Sequence, residues 1–183
     1  LKDVTSTLNE LNDYADKTIY NFAEMTRNIG TFTAAGVDLD TSTAAIKGIA
    51  NLAAASGSSS AQASTVMYQL SQALAAGKVS LQDWNSVVNA NMGGKVFQDA
   101  LIRTSEHLQT GAKAAITANK TFRDSLETGW LTTEVLSQTL DQLSTAADTQ
   151  EEYEAAIKKF VDQGYSKEEA KQIADLAKTA GDA

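Results

Sequence analysis

The chain runs for 183 residues without a single proline. Average usage near 5% would supply about nine. Proline removes a backbone donor and breaks helix interiors, so its complete absence leaves the whole length open to helix. The apolar residues keep the matching rhythm. Leu8, Leu11, Ala15, Ile19, Phe22, Met25, Ile29 and Phe32 step by three or four, which lays one apolar stripe along a long N-terminal helix. Shorter stripes follow at Ile46, Ile49, Ala50 and Ala53, then at Val66, Met67, Leu70, Ala73 and Leu74. Leu81, Trp84 and Val88 define the next, and Val96, Phe97, Ala100 and Leu101, with Leu108, the one after. A short helix around 112–118 and the pair Phe122 and Leu126 lead to Val135, Leu136, Leu140, Leu143 and Ala147. Tyr153, Ile157 and Phe160, then Ala170, Ile173, Leu176 and Ala177, close the series. No alternating β-branched run reads as a strand. The predicted fold is all-α: a compact multi-helix bundle of about seven to nine short-to-medium helices with one long N-terminal helix.

The breaks between stripes carry their own chemistry. Gly36, Gly77, Gly129 and Gly164 follow apolar runs, where a helix stop favours glycine. The Ser/Gly cluster at 56–60 reads as a turn, and Gly93-Gly94 is the strongest break in the chain. Asp40, Thr41 and Ser42 offer acceptors for a helix start, as do Ser80 with Asp83 and Thr132 or Thr133. Ser166 with Glu169 is a capping box, and Tyr165 stands where a staple residue would precede the cap. One faint internal echo joins Leu74–Trp84 to Leu126–Val135. Each reads helix, Gly stop, short linker and hydroxyl cap, and two ordinary corners explain it more simply than a duplication.

Several chemistries are disfavoured. No cysteine is present, which excludes a disulfide framework, a thiolate zinc site and a cysteine nucleophile. The net charge of −8 argues against duplex binding, which needs clustered Lys and Arg to neutralise phosphate. His107, the one histidine, has neighbours Ser105 and Glu106 that point away on a helix, so a surface or helix-end role is the better reading. Glu151-Glu152-Tyr153-Glu154 lacks the alternating oxygens and sharp turn of a calcium loop and suits a first helical turn. Gly93-Gly94-Lys95 lacks the spacing and hydroxyl of a phosphate loop, and a tight helical corner accounts for it. Trp84 and Trp130 sit beside capped helix starts among Leu and Val and read as core anchors. Phe160, Gly164, Tyr165, Ser166, Glu169 and Ala170 resemble the helical corner of ubiquitin-associated domains, though corner packing suffices. The stretch from Gly48 to Gly77 is uncharged. Its polar turn and glutamines leave neither half near the ~20 apolar residues of a membrane span. No catalytic, metal or cofactor-binding residue is assigned. The chain opens on Leu1 rather than Met and has no signal-peptide pattern near its start, so a fragment or processed product is expected.

The stretch Phe32–Leu101 carries a longer pattern. It reads F-T-A-A-G-V-D-L-D-T-S-T-A-A-I-K-G-I-A-N-L-A-A-A-S-G and then M-Y-Q-L-S-Q-A-L-A-A-G-K-V-S-L-Q-D-W-N-S-V-V-N-A-N-M-G-G-K-V-F-Q-D-A-L. This resembles the tape-measure domain of bacteriophage and prophage tail proteins. Phe122–Leu140 resembles its usual continuation, while Gln142–Ala183 shows no firm pattern. Gln69, Gln72, Gly77, Trp84, Asn85, Gly93, Gly94 and Trp130 are the motif or structural positions taken from these readings. The resemblance implies a structural and assembly role without catalytic residues or cofactors: tail length determination, tail tube assembly and genome ejection. It implies a place in the virion tail lumen after assembly in the bacterial host cytoplasm. The implied partners are tail tube protein, tail tip or distal tail protein and tail assembly chaperones, with self-association as a further contact, and neither nucleic acid nor membrane is bound specifically. It divides the chain into a tape-measure helical domain, 1–145, with core motif 32–101, and a C-terminal helical hairpin, 146–183, that can pack on the same domain. Two other readings stand beside it: a non-catalytic helical adaptor of bacterial origin, and an accessory domain of a cell-wall hydrolase, for which Glu127 beside Trp130 is the nameable carboxyl.

Overall fold

Capping side chains and left-handed glycines cut the chain into helices. The computed structural model describes residues 2–16, 22–145, 147 and 149–182. Among the described residues there are eleven α-helices and no strand. They are α1 (Lys2–Asp16), α2 (Phe22–Ala34), α3 (Leu39–Ser56), α4 (Ser60–Ala76), α5 (Leu81–Asn89) and α6 (Lys95–Leu108). After them come α7 (Ala112–Asn119), α8 (Phe122–Ser125), α9 (Thr133–Leu143), α10 (Gln150–Asp162) and α11 (Lys167–Asp182), with a 3-10 turn over Leu126–Thr128 between α8 and α9. The count exceeds the predicted seven to nine, in part because the predicted N-terminal helix is represented by two helices, α1 and α2.

The long N-terminal helix is not observed. Two helices, α1 and α2, pack against each other and both pack on α3, which a continuous rod cannot do. Leu11 and Phe32, from the two halves of the predicted stripe, are both fully buried in the same core. Apolar periodicity records which residues turn inward; it does not record whether the helix axis continues. Ile19 lies outside the described residues, as do the side chains of Ala15, Phe22 and Met25.

At the next start the cap is Asp38, two residues before the predicted group. Its Oδ1 accepts the Thr41 N–H at 2.9 Å and its Oδ2 accepts the Thr41 hydroxyl at 2.7 Å. These bonds hold the Asp38 carboxyl below its usual pKa. Ser59 with Gln62 forms a full capping box at α4, and Ser80 with Asp83 forms another at α5. Thr132, not Thr133, caps α9 by accepting from Val135 N–H at 3.2 Å. Ser166 and Glu169 bond reciprocally at α11, as predicted.

Helices α3 and α4 are the two core helices read from the uncharged stretch, and no helix among the described residues is long and apolar enough to cross a membrane. Ile46, Ile49, Ala50 and Ala53 are completely buried. Two predicted core valines are not. Val88 is 49% exposed while Val87 is fully buried, and Val96 is 44% exposed beside buried Phe97. Trp84 has helical neighbours at both three and four residues, so spacing alone cannot choose between Val87 and Val88. Helix α9 ends at Leu143, and Ala147 is buried beyond it.

Helices α3 and α9 cross at close range. A Cβ built on Gly48 would collide with the carbonyl oxygen of Leu140, so only glycine allows the two backbones this approach. Asn51, one turn further on, donates from Nδ2 to Leu143 O at 2.7 Å. Helix α10 packs on α11, and α11 packs in turn on α9 and α3. Gly48→Ala is therefore expected to destabilise the protein by about 1–3 kcal/mol through overpacking. Gly30→Ala, in α2 with open space at its Cβ position, should stabilise by up to about 1 kcal/mol through helix propensity. Urea unfolding midpoints of the two variants will check the contrast.

Candidate functional site

The two corners that echo each other in sequence lie side by side. Gly77 ends α4 at φ +93° and Gly129 ends the 3-10 turn at φ +82°, both in the left-handed region that favours glycine. The linkers then pair. Lys78 and Thr132 form an isolated antiparallel bridge. Val79 N–H donates to Leu131 O, and Thr133 N–H donates to Gly77 O, both at 3.1 Å. In this register Val79 faces Leu131, its counterpart in the echo, and both are buried. The resemblance between the segments therefore has a structural use: two helix–Gly–cap corners satisfy each other's backbone groups.

Beneath the corners sits an aromatic cluster. The Trp84 ring lies 4.7 Å from Phe122 and 5.8 Å from Phe97, and Phe122 meets Trp130 edge-on at 5.4 Å. Such offset and edge contacts suit the ring quadrupole. Trp130 Nε1 donates to the buried Ser125 hydroxyl at 2.9 Å, which in turn donates to Phe122 O. Both indoles are 3% exposed, so neither presents a stacking face to a ligand. Gly93 closes this region: a Cβ there would meet Val88 Cγ2 at 2.7 Å and Trp84 Cζ2 at 3.4 Å. Gly94, at the start of α6, has extended backbone and open space, so the tight corner needs one glycine of the pair.

The structure thus gathers Gly77, Trp84, Gly93 and Trp130 around one pair of corners. Gln69 and Asn85 are half-buried on α4 and α5. Gln72 is exposed and lines a separate open depression of about 550 Å3 between α2 and α4, with Arg27, Gly30, Thr31, Tyr68 and Ala75. Glu127 is exposed on the 3-10 turn, the opposite of the apolar setting a catalytic carboxyl needs. Among the described residues no cluster of His, Cys, Asp and Glu could hold a metal ion.

A second grouping went unread in the sequence. On α6 the buried Thr104 hydroxyl donates to Ala100 O at 2.9 Å and lies 2.8 Å from the Thr139 hydroxyl of α9. Gln142 Nε2 donates to Thr104 Oγ1 at 3.2 Å and to the Tyr165 hydroxyl at 2.6 Å. His107, in the last turn of α6, stacks on the Tyr165 ring at 4.0 Å. Tyr165 is buried rather than offered to a partner, and burial raises its pKa against the lowering effect of bonds to Thr104 and Gln142. Burial lowers the pKa of Arg103, opposed by the charges of Asp99 and Glu169. Buried threonines and glutamines at helical spacing look like ordinary polar positions in a sequence, and only the packing of α6, α9 and α11 brings these together.

The family described as tape measure protein matches the chain over residues 1–180. The chain belongs to the tape measure protein family. The match runs well past the motif at 32–101 and takes in the segment after Gln142 that showed no pattern. No curated protein and no solved structure shows significant similarity to the chain. Tape measure proteins are structural components of phage tails, and this chain has a structural role there in contact with other tail components. Its helical corners are then architecture. Gly93→Ala should lower stability by about 1–3 kcal/mol by overpacking against Trp84 and Val88. Gly94→Ser should leave it within about 0.5 kcal/mol, since serine is at home at a helix start. Thermal unfolding followed by circular dichroism separates the two.

Proposed function

We propose that this chain is an assembly module of a tape measure protein that helps set tail length, templates tail tube growth and leaves the tube during genome ejection. The family match over residues 1–180 carries the reading. In this reading the chain works in the tail lumen after assembly in the host cytoplasm. It contacts tube protein, tip or distal tail protein and assembly chaperones, and it acts without catalysis or a cofactor. Residues 1–145 serve as the tape-measure helical domain, and 146–183 as a hairpin packed on it. The motif residues Gln69, Gln72, Trp84, Asn85 and Gly93 serve packing and surface presentation rather than chemistry. Exposed apolar side chains such as Tyr68, at 55%, suit helix-in-groove contacts with tail proteins.

The ruler role makes a quantitative prediction. An in-frame insertion of about 100 helical residues in the phage gene that encodes this chain should lengthen tails by about 150 Å, at about 1.5 Å per residue. Electron microscopy of the tails reads the outcome, and tail length that ignores the insertion refutes it.

Charge supports the ejection step. A net charge of −8 repels the DNA phosphates that must replace the protein. Reversing the surface to about +8 should slow DNA release in a salt-dependent manner. Ejection kinetics unchanged by the reversal would remove this electrostatic part of the proposal.

A further inference from the structure

The described core closes in two separate pieces. One runs from Leu11 to Leu143 through the bundle. The other comprises Ala156, Phe160, Tyr165, Ala170, Ile173 and Ala174, all within the α10–α11 hairpin and its corner. The hairpin therefore carries an apolar core of its own, with Phe160 fully buried and meeting Tyr165 edge-on at 6.4 Å. Leu176 of α11 packs on the bundle core, and Ala147 N–H donates to Ala177 O at 2.9 Å.

Much of the remaining seam is polar. Across it Gln142 Nε2 donates to the Tyr165 hydroxyl, His107 stacks on Tyr165, and Arg103 Nε donates to Gln172 Oε1 at 3.2 Å, while Thr104 and Thr139 back Gln142 from the bundle side. The seam is also incompletely satisfied. Gln142 spends its amide N–H groups on Thr104 and Tyr165, but its Oε1 has no hydrogen-bond partner although the residue is 2% exposed. Arg103 Nη1 is likewise buried without a partner. Burying a polar atom without a partner costs free energy that water returns when the atom is exposed. Opening along this line hydrates both atoms and breaks bonds that water can replace. Opening through either core would instead expose Phe160 and Ile173, or Ile46 and Ile49, to water.

We propose that the α10–α11 hairpin undocks from the bundle as a folded unit, parting Tyr165 from Gln142 and His107, and Gln172 from Arg103, while both apolar cores stay closed. The bundle core alone holds the remaining helices together, and the hairpin keeps Phe160, Tyr165 and Ile173 packed. The event is a sub-global opening of a cooperative unit, distinct from unfolding.

Because the chain has no cysteine, single introduced thiols report the opening directly. Thr139→Cys and Thr104→Cys place reporters in the seam, Ala174→Cys in the hairpin core and Ala53→Cys in the bundle core; all four sites are fully buried. Under native conditions a thiol reagent should label the seam positions at least about 100-fold faster than either core position, because they open without global unfolding. Equal labelling at all four sites would mean that one global event exposes them, and would overturn the proposal. Fast labelling at Ala174→Cys together with the seam would mean that the hairpin melts rather than moves, and would overturn it as well. Gln142→Leu in the Thr139→Cys background removes the unpartnered oxygen and leaves Thr104 beside Tyr165. It should slow seam labelling at least about tenfold, and an unchanged rate would reject the seam as the line of opening. The comparison among the four reporters stands even if that variant folds poorly.

Discussion

The contact on which the fold depends is backbone against backbone. At Gly48 the α3 helix lies so close to α9 that no side chain fits between them and the Leu140 carbonyl. Close approach of two helices leaves no room for water between them, and on α9 Leu136, Leu140 and Leu143 are all buried. Asn51 then ties its amide to the free carbonyl at the end of α9. The helix α3 is central because α1, α2, α4, α9 and α11 all pack on it. Its low charge, which invites a membrane reading, is what a helix surrounded by protein requires.

From that crossing the chain reaches the aromatic cluster through α9. The start of α9 is fixed by the Thr132 cap and by the bond from Thr133 to Gly77, so the corner carrying Trp130 is held against the corner after α4. Trp130 and Trp84 bring large apolar surfaces to one place, and Ser125 supplies the single polar partner that the Trp130 indole needs. Short helices such as α5, α7 and α8 are marginal alone in water. Here α5 and α8 carry Trp84 and Phe122 into the aromatic cluster, and α7 packs on α6 and α8.

Much of this was legible in the sequence. Capping patterns at Ser80 and Ser166 placed helix starts correctly because a cap is a local interaction between neighbouring residues. The stripes of α3, α4 and α9 were legible because several successive turns repeat the same inward face. What escaped depends on contacts between distant residues. Gly48 has no local signature, since its importance lies in Leu140, far along the chain. The N-terminal stripe is equally periodic whether the helix continues or folds back on itself. The choice of Val87 over Val88 is made by neighbours in space. The family motif at Phe32–Leu101 could be recognised as an ordered pattern, yet its glutamines and glycines divide between core, corner and surface only when the chain is folded.

Apolar and polar contacts do different work between the bundle and the hairpin. The apolar cores are strong and non-directional, and either would tolerate repacking at conserved volume. The seam is directional: the Gln142 amide meets the Tyr165 hydroxyl and the Arg103 guanidinium meets Gln172 in one arrangement, and a shift of the hairpin by one helical turn would break both bonds. Each such bond replaces one that water would make, so its net contribution is about 0.5–1.5 kcal/mol, and an atom left without a partner takes much of that back. The seam therefore fixes where the hairpin sits far better than it fixes how firmly. That separation of orientation from strength explains how the hairpin of α10 and α11 can hold a single docked position while its own apolar core packs its two helices together.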